Sequence, residues 1–413
     1  MSEGEITGFD AGKVARAVRQ PPLDDLLAVV RERRRRRTAG VALAVVLAIA
    51  GMAVVPLTGR SSGVDWAAPE PTVTRDDRTT RLFVLSDTHA VGVAWVDHGC
   101  TVRFAHTLNA GRSWSDYASA SYRVPDCRTK DDGEKVGDLR FSVLDERSYL
   151  VLHNGRRYLS SDYGHSWRDA DTAMVSVAAF PDRARPVFCQ QGCDAVLEPL
   201  ATDPETGTVY RLRGEKPSPY PPFSIYPSPD GAIWATYWPG ESGRRAIVAS
   251  SADRGATWRT STPAGGHVVA VAAVSEVEAY LLTEPDPPPG TEPMEPGVPS
   301  RLLHTTDGGR SWTDVGTDLP STPVSRDFTL AADGSLMIAD THHHPANLTA
   351  YLLVSRDGGR HFARVREYGQ EGGTGVAPGR AWLHGRDDMS VEGPDHVQLT
   401  TDGEDWVRFA LPG

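Results

Sequence analysis

A chain of 413 residues with 39% hydrophobic and 8% aromatic content has ample material for a large core and the composition of an ordinary globular protein. Its net charge of −11 is uneven: residues 1–37 carry nine Lys/Arg against six Asp/Glu, and residues 38–413 hold 34 against 48, a net −14 that argues against nucleic acid as a partner. Forty glycines and 31 prolines, set among short Val, Leu, Tyr and Trp runs, point to an all-β fold of many strands and turns.

Residues 1–38 read as a basic cytoplasmic segment, in which Leu23, Leu26, Leu27, Val29 and Val30 suit a short helix at the membrane surface. Arg31 and Arg33 to Arg37 precede Ala39 to Leu57, 19 residues without a charge and about enough helix to cross a bilayer core of roughly 30 Å. Arginines before this run and few basic residues just after it predict one transmembrane helix over 39–58, with the N-terminus cytoplasmic and the rest extracellular at the cell membrane. A cleaved signal peptide is the alternative, since Gly51 and Ala53 are small, but 37 residues before the apolar run is long for a leader. Twin-Arg export fits poorly, because Thr38, Ala39 and Gly40 follow Arg36 and Arg37. Residues 59–80, polar with Pro69 and Pro71, read as a linker to a domain over 81–413.

All four cysteines lie beyond the membrane segment, as suits an oxidising compartment. Of the three possible pairings we favour Cys100 with Cys127, which bracket the first repeat, and Cys189 with Cys193, close enough to staple one loop.

A pattern of Ser/Thr, any, Asp, any, Gly, any, Ser/Thr, Trp recurs along the chain. Its copies centre on Asn109 with Trp114, Asp162 with Trp167, Asp253 with Trp258, Asp307 with Trp312, Asp357 with Phe362, and a copy one residue short on Asp402 with Trp406. Each follows an apolar run, so a strand, turn, strand unit is expected: the Asp carboxylate accepts from turn amides, Gly supplies the positive φ, and Trp folds back onto the blade. The chain here resembles the Asp-box (BNR) repeat family of sialidases, sortilin-type receptors and photosystem-assembly propellers. That resemblance implies a β-propeller whose boxes join the third and fourth strands of each blade, opposite the usual ligand face.

The Asp or Asn positions are spaced by 53, 91, 54, 50 and 45 residues, so one interval is double. Asp203 to Gly207 lies near its middle and reads as a degraded box, giving seven four-stranded blades of about 48 residues each, with six or eight as alternatives. Closure is expected from pairing of a strand near Arg81–Leu85 with the terminal Trp406–Leu411.

Ligand-face candidates are the loops opposite the boxes. They are Tyr237–Arg245 with Trp238, Glu241, Arg244 and Arg245; Glu284–Ser300, with seven prolines and four acids; Asp340–Asn347 with Asp340, His342, His343 and His344; and the Cys189–Cys193 loop. Trp238 and its charged neighbours could stack on a sugar and hold a carboxylate, or form a plain hairpin tip. Adjacent histidines rarely converge on one ion, so no metal site and no cofactor is expected.

The expected function is a non-catalytic, membrane-anchored extracytoplasmic module that binds a protein or glycan. A sialidase-like exo-glycosidase is the alternative, because Tyr122, Arg123, Val124 and Pro125 resemble that family's Arg-Ile-Pro signature. The string follows the first box rather than preceding it, and no further catalytic residue can be assigned by motif. Signalling through residues 1–37 is a third reading.

Overall fold

The computed structural model describes residues 81–96, 99–125, 127, 139–190, 193–237, 246–264, 267–284, 300–319, 326–344, 347–369, 373–387 and 394–412. The expected membrane segment and linker, Trp238, Glu241, Arg244, Arg245 and residues 285–299 lie outside them. No helix among the described residues is long and apolar enough to cross a membrane.

The described chain is all-β and forms seven four-stranded sheets, the arrangement of a seven-bladed propeller. Blade 1 comprises β1 (Arg81–Val84), β2 (Ala90–Val96), β3 (Thr101–Thr107) and β4 (Ser121–Arg123); blade 2, β5 (Leu139–Val143), β6 (Tyr149–His153), β7 (Arg156–Ser160) and β8 (Arg168–Asp169). Blade 3 contains β9 (Val175–Val177), β10 (Arg185–Pro186), β11 (Leu200–Asp203) and β12 (Thr208–Leu212). Blade 4 has β13 (Pro222–Pro227), β14 (Ile233–Tyr237), β15 (Ile247–Ser251) and β16 (Arg259–Ser261); blade 5, β17 (His267–Ala273), β18 (Ala279–Glu284), β19 (Arg301–Thr305) and β20 (Thr313–Asp314). Blade 6 has β21 (Arg326–Leu330), β22 (Leu336–His344), β23 (Asn347–Ser355) and β24 (Ala363–Gly369); blade 7, β25 (Thr374–Ala377), β26 (Arg380–Gly385), β27 (His396–Thr400) and β28 (Trp406–Ala410). The middle strands of each blade, such as LVLH in β6 and IWATY in β14, are apolar on both faces because a neighbouring blade covers each side.

All six motif copies join the third and fourth strands of their blades. In blade 2, Asp162 Oδ1 accepts from Ser160 Oγ at 2.8 Å and Ser166 N–H at 2.9 Å, and Oδ2 accepts from Ser166 Oγ at 2.6 Å. Asp253 and Asp307 repeat this set. In blade 1 the neutral Asn109 does the same work, accepting from Ser113 N–H and donating Nδ2 to Ser113 Oγ.

The turn tryptophans reach outward rather than folding onto their own blade. Trp167 Nε1 donates to Ser121 O and Trp312 Nε1 to Ser261 Oγ, in each case on the outer strand of the preceding blade. Arg366 of β24 lies 4.6 Å from the Trp406 ring centroid of blade 7, a cation–π contact of the same sense.

Closure uses this contact too, which corrects the expected strand pairing. β1 pairs with β2 and β28 with β27, so among the described residues no sheet mixes the two ends of the ring. Instead Trp114 Nε1 donates to Ala410 O at 3.0 Å, and Leu82, Val84 and Ala90 pack with Trp382, Val397, Leu399 and Phe409. Both end blades hold four strands of their own, so side-chain packing is left to join them.

Blade 3 departs from the pattern. The Asp203–Gly207 turn joins β11 to β12, not a third to a fourth strand, and Asp203 accepts from the amides of Glu205 and Thr206 as a simple Asx turn. It is therefore not a degraded copy of the motif, although the count of seven holds. The chain leaves β12 for blade 4, and the outer edge is filled by the earlier β9, which pairs parallel to β12.

Candidate functional site

Residues 187–190 and 193–196, between β10 and β11, leave blade 3 and enter the centre of the ring. The Cys189–Cys193 disulfide, whose loop is expected at the ligand face, lies there. Cys189 exchanges two backbone hydrogen bonds with Ile225 on β13, at 2.8 and 3.0 Å. Gln190 donates its amide to Phe328 O and accepts from Phe328 N–H on β21. Ser142 of β5 donates to Cys193 O and accepts from Ala195 N–H, both at 3.1 Å. Asp194 forms an ion pair with Arg81 of β1. One short segment thus ties together blades 1, 2, 4 and 6. The Cys189–Cys193 disulfide, with Cα atoms 5.4 Å apart, holds its turn. Cys100–Cys127 forms as well and joins the segment that follows β4 to the residue before β3.

Beside this plug is a cavity of about 420 Å³, walled by β1, β5, β21, β25, β26 and the plug itself. Phe83, Phe188 and Trp382 supply apolar surface, and Asp327, Gln190, Thr374 and His384 supply polar groups. Burial raises the Asp327 carboxyl to about 7; nearby Arg81 opposes the rise, Asp340 adds to it, and a Thr374 hydrogen bond opposes it. Asp327 is half-buried and lines this cavity. Burial also lowers His384 to about 4, helped by His396, so its imidazole is neutral at physiological pH.

Asp340, expected on the ligand face, is 0% exposed inside blade 6, where Tyr351 Oη donates to its Oδ2 at 2.8 Å. The expected loop around it is a long hairpin, with His342 opposite Thr349 and His344 opposite Asn347 in the strand register. Arg123 sits on β4, the outermost strand of blade 1, opposite Thr101. It is not among the residues that line the cavity at the centre of the ring. The described arginine that lines the central cavity is Arg81, already engaged by Asp194.

Asp387, Asp395 and His396 of blade 7 place ligand-type atoms within 4.8 Å of one another. Arg408 pairs with Asp387 and lies 3.7 Å from Asp395, so the positive charge is supplied by the chain itself.

Sequence reasoning missed Asp327, Trp382 and His384. The available signal was a charged or bulky polar residue inside an apolar strand, RDFTL in β21 and RAWLHG in β26, where a neutral scaffold would place neither.

No protein-family model matches the chain, and no curated protein does. Among solved structures it is similar to YCF48 bound to a D1 peptide, at 10% identity and TM-score 0.31, with 81% of each chain covered. A polysaccharide lyase family 25 ulvan lyase is similar at 12% identity and TM-score 0.40, over 81% of this chain and 94% of that one. The β-propeller domain of the Trilobed protease from Pyrococcus furiosus, described as having an open velcro topology, is similar at 10% identity and TM-score 0.43, over 81% and 97%. At such identities the likeness concerns the fold alone.

Proposed function

We propose that the chain is a membrane-anchored Asp-box propeller that binds an extracytoplasmic protein or glycan through the face opposite its repeat turns, without catalysis. The observation that carries this is an asymmetry among the connections between second and third strands. They are short in blades 1 and 2, with β2 to β3 spanning 97–100 and β6 to β7 spanning 154–155. In blades 4, 5 and 7 they lengthen to 238–246, 285–300 and 386–395, and in blade 6 the two strands themselves extend to nine residues each. Long connections on neighbouring blades concentrate variable surface on one sector of one face, where a rigid scaffold displays binding residues. Trp238, Glu241, Arg244 and Arg245 belong to that sector by chain position.

The full chain in detergent, tested against cell-wall glycan fragments and against peptides of extracytoplasmic proteins, should show saturable binding. Replacing 285–299 by a short Gly-Ser linker should weaken it at least tenfold. Glycoside turnover that a point substitution abolishes would overturn the reading. The anchor is tested by protease applied from outside intact cells, which should cleave the propeller from a membrane-retained N-terminus.

A further inference from the structure

We propose that the cavity at the centre of the ring is a second binding site, built for a neutral aromatic alcohol whose hydroxyl meets the imidazole of His384. This goes beyond the loop-face reading and does not depend on it. The volume of about 420 Å³ lies in the range of small-molecule sites. Phe83, Phe188 and Trp382 line it, and aromatic walls favour an aromatic body. Trp382 offers carbon surface only, because its Nε1 is buried out of reach.

The other polar side chains around the cavity are already engaged. Arg81 forms its ion pair with Asp194. Gln190 uses both ends of its amide on the Phe328 backbone, and Ser142 is held between Cys193 O and Ala195 N–H. Asp327 accepts from Thr374, whose hydroxyl also lies 3.4 Å from Thr341 Oγ1. A charged ligand would therefore have to compete for groups that have partners, and a buried charge is costly unless it is paired. The walls suit a neutral ligand.

His384 is the exception. It is half-buried, lines the cavity, and its imidazole makes no hydrogen bond among the described residues. Unlike Trp382 Nε1, its ring nitrogens keep accessible surface. Burial and His396 keep the ring neutral, so one nitrogen donates and the other accepts, and a hydroxyl satisfies either tautomer. Two glycines open this wall. Gly375 of β25 is the register partner of Trp382, and Gly373 O accepts from the His384 amide at 2.9 Å. A Cβ at Gly375 would stand 2.3 Å from Trp382 Cζ2, and one at Gly373 3.4 Å from His384 Cδ2. Neither glycine is at positive φ, so what each provides is room. Trp382 and His384, on the second strand of blade 7, thereby reach the cavity past the first.

The test uses the full-length chain in detergent, titrated calorimetrically at neutral pH against a detergent blank. The probes are 2-naphthol, the anion 2-naphthoate and the cation 2-naphthylmethylammonium. 2-Naphthol should bind saturably, and each charged analogue at least tenfold more weakly. His384→Phe keeps the bulk of the ring and removes its nitrogens, and should weaken 2-naphthol about tenfold, the loss of one hydrogen bond. Deleting 285–299 should leave 2-naphthol binding intact, which separates this site from the loop face. Absence of saturable 2-naphthol binding, equal or tighter binding of either charged analogue, loss of binding in the 285–299 deletion, or unchanged affinity in a folded His384→Phe would overturn the proposal. Should His384→Phe fail to fold, Gly373→Val, which grows a side chain beside the imidazole, takes its place: affinity should fall at least tenfold, and an unchanged affinity would overturn the proposal.

Discussion

The repeat turns and the ring centre use the same residue type under opposite physical conditions. At the turns, aspartates near solvent accept hydrogen bonds from amides, hydroxyls and, at Asp357, the His361 imidazole, and these hold the Asp307 and Asp357 carboxyls far below the ordinary range. At the centre, burial raises Asp327 to about 7. The turn contribution to stability is therefore present above the unfolded-state carboxylate pKa and lost as pH falls through the depressed native values. Asp327 acts in the reverse sense: the native state binds the extra proton between about pH 4 and 7, so its ionisation costs stability as pH rises. A charge solvated by its own turn adds to the stability of the scaffold, whereas a carboxylate that burial disfavours subtracts from it when ionised.

The largest expected effect lies at the turns, where geometry is crowded. Gly359 has φ of +90°, and an added Cβ would stand 2.1 Å from Leu302 Cδ2 of the preceding blade. Gly359→Val should destabilise by roughly 3–5 kcal/mol in denaturant unfolding. Gly155, also at positive φ but with nothing within 4 Å of an added Cβ, isolates the backbone cost; Gly155→Ala should lose only about 1 kcal/mol. Similar losses at both sites would mean that inter-blade packing at the turn contributes nothing.

At the centre the sign reverses. Asp327→Asn should stabilise the chain by the order of 2 to 4 kcal/mol at pH 8 and hardly at all at pH 4, from a rise in pKa from 3.8 to about 7. A pH-independent difference between the two melting curves would contradict a costly buried carboxylate. The smallest effect returns to the turns: Asp162→Ala should lose about 1 kcal/mol, whereas Asp162→Asn should lose under about half of that, since Asn109 already serves blade 1. Equal losses would show that charge rather than hydrogen-bond geometry holds the turn.

Much of the architecture was legible in the chain because a repeat turn is a local device. Ser160, Asp162, Gly164 and Ser166 satisfy one another within seven residues, so their spacing alone announces strand, turn and strand, and the intervals count the blades. The two disulfides were also legible, one from bracketing a repeat and one from a separation of four residues. Blade 3 was misread at Asp203, because an Asx turn and a degraded motif share Asp and Gly, and only strand order tells them apart.

The sequence by itself determined the repeating unit, a blade count near seven, and an uncharged run long enough for a membrane. Tertiary structure alone decided where non-repeating residues go. It placed Cys189, Gln190 and Cys193 to Val196 inside the ring, brought Asp327 of one strand and Trp382 and His384 of another to one cavity, and closed the ring with Trp114 on Ala410. Local hydrogen bonds leave a signature at fixed spacing, whereas contacts across a ring join residues whose separation in the chain carries no period.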